Sequence, residues 1–288
     1  MFSDLQMKVC SESALQAIYP ELVKLNDFCH TYSDLEDRKG ASIVIPTFDL
    51  SAAGDFVVGS NQYDSGEQEA DATTLTLNKH LVKSIEYSDR DVVETEVNWI
   101  RDAGAGIASV LGRGLNKYVM NMLNSTNIPL TAEINLGTKT QAAQLYKIAA
   151  ENDLDVADSI VVLTPENFSK VLGLLDVMTY GGPEALRYGY VPGLFGFKSV
   201  VCSTFLDEGV DGVIVNRNSV GIASRYLAPM AGAYPDAWKT TDPSTGFTLG
   251  WRSFSDLGSG KRYLCGECLC GAKIFWSGKK AVRLSNAS

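Results

Sequence analysis

The residues best suited to chemistry in this sequence are the cysteines of the segment Cys265-Gly-Glu-Cys268-Leu-Cys270. A Cys-x-x-Cys pair can be half of a zinc site or a redox-active pair of thiols. A zinc site needs two further ligands, and Cys29-His30 can supply them only if the fold brings the two segments together. The alternation of a β-strand puts Cys268 and Cys270 on one face, which favours small, buried strand residues. We therefore predict no catalytic, cofactor-binding or metal-binding residue here.

Two glycine-containing segments have part of a phosphate-binding pattern. Gly104-Ala-Gly106 resembles the start of a dinucleotide-binding fingerprint, but Ser109 stands where the third glycine belongs. Gly258-Ser-Gly-Lys261 is followed by Arg262, where a phosphate loop needs Ser or Thr. The sequence has no Gly-x-Ser-x-Gly segment, so a hydrolase triad has no starting point. The closely spaced carboxylates are typical of a solvated loop and a helix start: Glu67, Glu69, Asp89 and Asp91.

The composition excludes several classes of protein. Of the 288 residues, 45% are hydrophobic and 20% charged, so the chain can bury a sizeable core. The formal net charge of −9 argues against a protein whose main task is to grip phosphate backbones. The segment Met1–Cys10 has no apolar targeting region, and aliphatic runs such as Ile160–Leu163 are far shorter than the roughly 20 residues of a membrane span. We expect synthesis in the cytoplasm, no membrane contact, and reduced cysteines.

The elements that must position these residues begin with a helical arm and a hairpin. Residues 1–39 are predicted as a short helical arm that Pro20 interrupts. A strand is predicted at Ser42–Phe48, followed by an acidic loop with glycines. The second strand starts near Thr73 and continues with period two through Tyr87. A hairpin alone is marginal in water, so another part of the structure must cover its apolar face.

A long amphipathic helix is the clearest prediction. Its apolar residues recur every three or four positions between Val93 and Met122. The residues predicted to lie off this stripe are Arg101, Asp102, Arg113 and Asn116. Each glycine inside the helix costs up to about 1 kcal/mol relative to alanine. Close packing against another backbone, or a need to bend, would justify that cost at the glycines 104, 106, 112 and 114.

The remaining chain alternates helices and strands and then becomes β-rich. A helix is predicted at residues 139–151, a buried strand at Ile160–Leu163, and a helix that begins at Thr164-Pro165. A glycine-rich loop is predicted at 179–196 and another loop around Pro229–Asp242. The other predicted strands are Ser199–Thr204, Val213–Asn216, Phe247–Phe254 and Lys261–Trp276.

Charge is divided unevenly along the chain. Residues 49–96 contain 11 acidic and 3 basic residues, a net charge of −8. Residues 251–288 contain 7 basic and 2 acidic residues, a net charge of +5. An acidic hairpin and a basic C-terminal sheet suggest complementary surfaces that meet within a subunit or between subunits.

Several segments, taken in this order, carry a resemblance to a known family: Thr73–Lys79 with Ile85–Tyr87, Val161–Pro165, Gly193–Ser203, Thr245–Gly250 with Arg252, and Gly271-Ala272. Together with the order of the elements, they resemble the major capsid proteins of tailed bacteriophages, which have the Hong Kong 97-type fold. The resemblance covers about residues 40–285.

This resemblance implies an α+β fold with named parts. They are an N-terminal arm (1–39), an extended-loop β-hairpin (40–88), a peripheral domain with the long spine helix (89–137 and 229–288), and an α/β axial domain (138–228). It further implies a structural protein that self-assembles into pentamers and hexamers. These would form the icosahedral head shell around double-stranded DNA in the virion, assembled in the cytoplasm of a bacterial host.

The resemblance also implies partners. An arm of under 40 residues has no room for a scaffolding segment, so a separate scaffolding protein is expected, with a portal protein and a possible decoration protein. DNA would be enclosed without sequence-specific binding. Some family members cross-link a hairpin lysine to a neighbouring subunit. Lys79 and Lys83 lie in that region, but no motif identifies their partner, and we predict no cross-link.

Two alternatives stay open at this point. The first is an encapsulin-like nanocompartment, which has the same fold around an enzyme cargo. The second is a cysteine-based metal or redox enzyme that uses Cys265, Cys268 and Cys270.

Overall fold

The computed structural model describes residues 2–32, 42–48, 70–88, 98–138, 143–174, 190–217, 219–230, 234, 236–256, 261–275 and 280–286. Its helices are α1 (Asp4–Asn26), α2 (Asn98–Met120), α3 (Gln144–Glu151) and α4 (Pro165–Leu174). Its strands are β1 (Cys29–Thr31), β2 (Ser42–Phe48), β3 (Ala70–Thr76), β4 (Lys79–Tyr87), β5 (Thr131–Ile134), β6 (Ser159–Leu163), β7 (Tyr190–Pro192), β8 (Ser199–Cys202), β9 (Gly212–Asn216), β10 (Val220–Arg225), β11 (Asp236–Thr241), β12 (Thr248–Asp256), β13 (Lys261–Ile274) and β14 (Ala281–Asn286). None of the described helices has both the length and the apolar character needed to cross a membrane.

The N-terminal helix α1 is part of the core. Ser3 begins it with a capping box, in which the N–H of Gln6 donates to Ser3 Oγ and the Ser3 N–H donates to the Gln6 side chain. The predicted interruption at Pro20 is wrong, because α1 continues through it to Asn26. Proline removes one helical hydrogen bond, but buried residues on both sides of Pro20 hold the helix in place. The buried face consists of Cys10, Ser13, Ala14, Ile18, Leu22 and Leu25.

The two long helices α1 and α2 lie side by side and run in the same direction. A Cβ atom on Gly104 would lie 2.7 Å from Cys10 Sγ, and one on Gly112 would lie 2.7 Å from Cγ1 of Ile18. Ser13 Oγ also donates a 2.9 Å hydrogen bond to the carbonyl oxygen of Arg101. Close packing therefore accounts for Gly104 and Gly112, because any side chain there would push the helices apart.

Asn116 corrects one prediction about α2. It is only 2% exposed, whereas the sequence pattern places it off the apolar face. Its Nδ2 atom donates a 2.6 Å hydrogen bond to Oε2 of Glu21 on α1. A polar side chain can be buried in this helix because the neighbouring helix supplies its partner. Arg101, Asp102 and Arg113 are exposed, as predicted.

The predicted hairpin is present, but its second strand is divided. β2 and β3 pair antiparallel from Ser42 opposite Thr76 to Phe48 opposite Ala70, and we call this pair the ribbon. The chain then leaves the ribbon, and β4 pairs with β13 instead, with Lys79 opposite Cys270. The prediction of one continuous second strand is wrong, because alternation shows which face a residue occupies and not which strand lies beside it.

The first sheet has the order β1-β10-β13-β12-β11, and β4 pairs with the long strand β13 as well. Residues Arg262 to Glu267 of β13 pair with both β12 and β4, so these two strands lie on opposite edges of β13. The predicted loop around Pro229–Asp242 is wrong for Asp236–Thr241, which forms β11. This segment has no apolar run, and its pairing with β12 makes it a strand.

The second sheet has the order β5-β14-β9-β6-β8-β7. β6 lies inside it, and all five of its residues are buried, which confirms the predicted strand at Ile160–Leu163. The helices α3 and α4 confirm the predictions near residues 144–151 and after Thr164. The predicted start of the long helix before Asn98, residues 139–142, and most of the glycine-rich loop lie outside the described residues.

The core consists of two clusters, which lie on opposite faces of the second sheet. One cluster joins α1, α2, the first sheet and residues from one face of the second sheet, such as Ile160 and Val213. The other cluster joins the opposite face of the second sheet to α3 and α4. The predicted domain boundaries stay a prediction. The strand pairing places β5 and β14 in the second sheet and β10 in the first.

Candidate assembly surface

The three clustered cysteines lie on β13, where two of them face the helices. Gly266 lies against Ile107 of α2, so the alternation of the strand turns Cys268 and Cys270 to that same side and Cys265 to the other. The other suggested ligands do not join them. Cys29 on β1 is paired with Val220, and Val220 is paired with Ile274, four residues beyond Cys270. In the described parts of the chain, no group of three or more His, Cys, Asp or Glu residues could hold a metal ion.

The environment of Cys29, Cys265 and Cys268 makes their thiols poor nucleophiles. Burial raises the pKa of Cys29 and Cys265 above the ordinary value. The pKa of Cys268 is raised well above it, first by a hydrogen bond with Cys270 and then by burial. A raised pKa lowers the fraction of thiolate, which is the form that attacks substrates and binds metals. This environment argues against thiol chemistry at these positions.

The opposite face of the first sheet carries a buried charge cluster that the sequence did not reveal. Glu267 on β13 is only 5% exposed. His80 Nε2 on β4 lies 3.2 Å from Glu267 Oε2, and Arg252 Nη2 on β12 lies 2.5 Å from Oε1. The cluster therefore joins three adjacent strands through diagonal cross-strand contacts. Removing His80 or Arg252 would leave the buried Glu267 carboxylate with one partner fewer, and little water is present to replace it.

Arg252 also fixes the chain that follows β10. Its Nη2 atom donates a 2.9 Å hydrogen bond to the carbonyl oxygen of Leu227. Its guanidinium lies 5.1 Å from the ring centre of Tyr234, close enough for a cation–π contact. These contacts hold the segment that ends at Met230, whose side chain is 86% exposed. Glu267 and Arg252 thus hold three strands and this loop together.

The ribbon exposes an apolar side chain on one of its faces. Val44 on β2 is 63% exposed, while Ile43 and Ile45 on the other face are half-buried. Leu75 on β3 is completely buried, so the ribbon is attached to the body at this end. An exposed β-branched side chain on a two-stranded ribbon is a surface that another molecule can cover.

The strand β4 has one edge that no other described strand pairs. Within the described residues, β13 is its only strand partner. Most of its side chains are exposed, including Lys79, Lys83 and the 52% exposed Val82. Its two lysines are of the kind that prevent uncontrolled pairing of an open edge. Glu86 of β4 forms an ion pair with the neighbouring strand of the same chain, since its Oε1 atom lies 2.6 Å from Nζ of Lys261 on β13.

The structure describes the basic surface and not the acidic tip that is predicted to meet it. The basic side lies on β13 and its neighbours, where Lys261 and Lys273 are exposed. The acidic tip, which contains Glu67 and Glu69, lies outside the described residues. The contact between the two surfaces therefore stays a prediction.

The described structure is similar to solved capsid structures over nearly its whole length. The capsid protein of the cyanophage P-SCSP1u is 16% identical with a TM-score of 0.58, and the match covers 90% of this chain and 86% of that chain. The capsid protein of a native GTA particle is 12% identical with a TM-score of 0.59, and the match covers 92% and 90%. The virus-like particle protein from Pyrococcus furiosus is 10% identical with a TM-score of 0.52, and the match covers 95% and 96%.

These comparisons establish the fold. The chain has the Hong Kong 97-like capsid fold, with mixed helices and sheets, as the sequence resemblance predicts. No protein-family model matches the sequence, and no curated protein matches it significantly. At these identities the folded core is shared while most individual residues differ.

Proposed function

We propose that this protein is the major capsid protein of a tailed bacteriophage, which forms the icosahedral head shell around double-stranded DNA. The observation that carries the proposal is the match of about nine-tenths of the chain to capsid proteins in assembled shells. The exposed ribbon and the open edge of β4 support it, because both are surfaces that a second copy can cover.

The physical basis of assembly is that each subunit is completed by its neighbours. A head-to-tail contact that closes on rotation makes rings, which we propose are the pentamers and hexamers of the shell. Each contact can be weak, because a subunit that makes many contacts at once is held by all of them together. The function then needs surfaces and no active site.

The division of charge gives these contacts a direction. We propose that the acidic hairpin of one subunit crosses the basic C-terminal sheet of the next, where residues 251–288 carry a net charge of +5. The overall charge of −9 is compatible with enclosing DNA, because a negative wall repels phosphates weakly and does not hinder packing. A scaffolding protein, a portal protein and a decoration protein are the other proposed partners.

A second candidate is a shell that encloses protein cargo. The virus-like particle protein from Pyrococcus furiosus matches 95% of this chain and 96% of its own length, which is more complete coverage than the cyanophage protein gives. The two candidates differ in content: one copurifies with nucleic acid, scaffold and portal, and the other with a folded enzyme.

The experiment that tests the function is expression, sizing and negative-stain imaging. We expect closed, uniform particles, and for the phage head we expect assembly to depend on coexpressed scaffold. Nuclease-protected DNA inside particles from infected cells supports the phage head, and a copurifying enzyme supports the second candidate. A permanently monomeric protein in the presence of every coexpressed partner refutes both.

Charge reversal tests the direction of assembly. Replacing the acidic residues Glu67, Glu69 and Asp71 together by lysine should block assembly and leave the subunit folded, because the tip would repel the basic sheet. Circular dichroism and thermal unfolding of the variant check that it folds. Normal particles from this triple variant would contradict the charge argument and leave the shell function intact.

A further inference from the structure

The loop that follows β10 is fixed to the first sheet on both sides of Met230. Arg252 of β12 binds the carbonyl oxygen of Leu227, three residues before it, and contacts the ring of Tyr234, four residues after it. Arg252 is itself held by the buried carboxylate of Glu267. A loop that is fixed before it meets a partner loses little conformational entropy on binding. These contacts therefore prepare the loop for binding.

Met230 of this loop is almost fully open to solvent. Its side chain is 86% exposed, more than any other large apolar side chain that the structure describes. Burying a methionine side chain completely is favourable by an amount that corresponds to about tenfold or more in an equilibrium constant. The subunit alone leaves this gain unused, and a contact with another molecule would use it.

A row of aromatic rings extends from the loop across the same face of the sheet. The rings of Tyr234 and Phe254 lie 6.1 Å apart, and those of Phe254 and Tyr263 are stacked at 5.0 Å. Tyr263 is an even number of residues from Glu267, so the row lies on the face of the charge cluster and away from α2. All three rings are only half-buried. We call Met230 and these rings the outer patch.

The outer patch has the composition of an interface and a largely basic surrounding. Aromatic residues, methionine and arginine are enriched where proteins bind one another. The strand alternation puts three exposed lysines on this face: Lys239, Lys261 and Lys273. Glu86 offsets one of them through its ion pair with Lys261. A complementary partner is therefore acidic. This chain meets that requirement, because its net charge is −9 and residues 49–96 carry −8.

We propose that the outer patch is an assembly contact with Met230 as its anchor, and that its occupant is a second copy of this chain. The inference rests on the proposed function and adds an apolar centre to the charge contact between subunits. Opposite charges give a contact its direction and its rate of formation, whereas apolar burial supplies most of its affinity. The half-buried rings surround the methionine and exclude water from it, as the neighbours of an interface anchor do.

Oxidation by hydrogen peroxide measures whether a second copy covers Met230. The peroxide transfers one oxygen atom to the thioether, which gives the sulfoxide and water, and mass spectrometry follows the product. Met230 should react at least about tenfold more slowly in shells of this chain alone than in unassembled subunits, because the contact excludes peroxide. Met120 is the internal control: it is completely buried in α2 and should react slowly in both states.

Replacing the anchor measures its contribution to assembly. Met230→Gln keeps the length of the side chain and should raise the subunit concentration needed for assembly about tenfold. Its thermal unfolding should match the wild type, because the side chain is exposed in the subunit. Leu5→Gln is the matched control, since Leu5 is 65% exposed on α1 and lies outside the outer patch. Equal effects of the two substitutions on assembly would overturn the proposal.

The outcomes separate this contact from the shell function. Wild-type protein that never assembles contradicts the proposed function and this contact with it. Wild-type shells in which Met230 is oxidised as fast as in subunits contradict the contact alone. Protection that appears only while a different protein is bound, and is lost when that protein is removed, would make that protein the occupant and overturn the proposal.

Discussion

Replacing Gly104 by alanine tests the packing of the two long helices most directly. The new Cβ atom would lie 2.7 Å from Cys10 Sγ and 3.0 Å from the carbonyl oxygen of Cys10. The second contact is with backbone, so a change of rotamer cannot relieve it and α1 must move. Gly106 offers a matched control in the same helix, because nothing lies within 4 Å of the Cβ atom that it lacks.

The magnitude follows from two opposing effects. Alanine gains about 1 kcal/mol over glycine in a helix. Overpacking a closely packed contact costs about 1–3 kcal/mol. We expect Gly106→Ala to stabilise the protein by up to about 1 kcal/mol, and Gly104→Ala to fall about 1–3 kcal/mol below Gly106→Ala, because the helix gain is common to both variants.

The assay is urea unfolding of the unassembled subunits, followed by circular dichroism. The difference between the two midpoints, at an unchanged slope, gives the cost of the contact. Equal stabilisation by both substitutions would refute the close packing of α1 on α2. In that case, flexibility of the helix would be the better explanation of Gly104.

Three further predictions concern the Cys10 thiol, the charge cluster around Glu267, and the contact of Gly271 with the ribbon strand β3. Burial raises the pKa of Cys10 to about 12. The buried neutral thiol therefore makes its full contribution to the free energy of unfolding below pH 9, and this contribution is lost as the pH rises towards 12. Between pH 7.5 and 10 the free energy of unfolding should fall by about 1.4 kcal/mol more in the wild type than in Cys10→Ala, and parallel pH profiles would contradict this. Arg252→Met should destabilise the protein by about 3 kcal/mol, because it leaves Glu267 buried with His80 alone, whereas the exposed control Arg113→Met should change stability by under about 0.5 kcal/mol. Equal losses of stability in the two variants, measured by urea unfolding, would show that the charge cluster does not stabilise the protein. Gly271→Ala should speed proteolysis of the ribbon, because the new Cβ atom would meet the carbonyl oxygen of Thr76. Gly173→Ala is the control and should not change the rate, because nothing lies within 4 Å of its Cβ position. Equal digestion of the two variants would contradict the close contact of β3 with Gly271.

Local patterns predicted most of the individual elements. The apolar stripes of α1 and α2, the buried run at β6, and the C-terminal strands β12 and β13 are all visible in the sequence. These segments are long or uniformly apolar, so their periodicity is unambiguous. The strand β11 was missed, because its sequence Asp-Ala-Trp-Lys-Thr-Thr has no such periodicity.

The candidate surface could be predicted only in part. The order of elements was sufficient to suggest the capsid fold and a hairpin that needs cover. The buried cluster of Glu267, His80 and Arg252 could not be found, because its members are far apart in sequence and meet only across three strands. The division of the hairpin at Leu77-Asn78 was hidden for a similar reason, since both halves keep the same alternation.

The amino-acid sequence by itself determined the charge balance, the long amphipathic helices and the faces on which apolar residues lie. These are properties of composition and of spacing within one segment, and they need no partner. The tertiary structure alone decided the partner of each strand, the burial of Asn116 and Glu267, and the reason that Gly104 and Gly271 must be glycine. Those outcomes depend on which distant backbone comes within a few ångströms, and local periodicity carries no information about that approach.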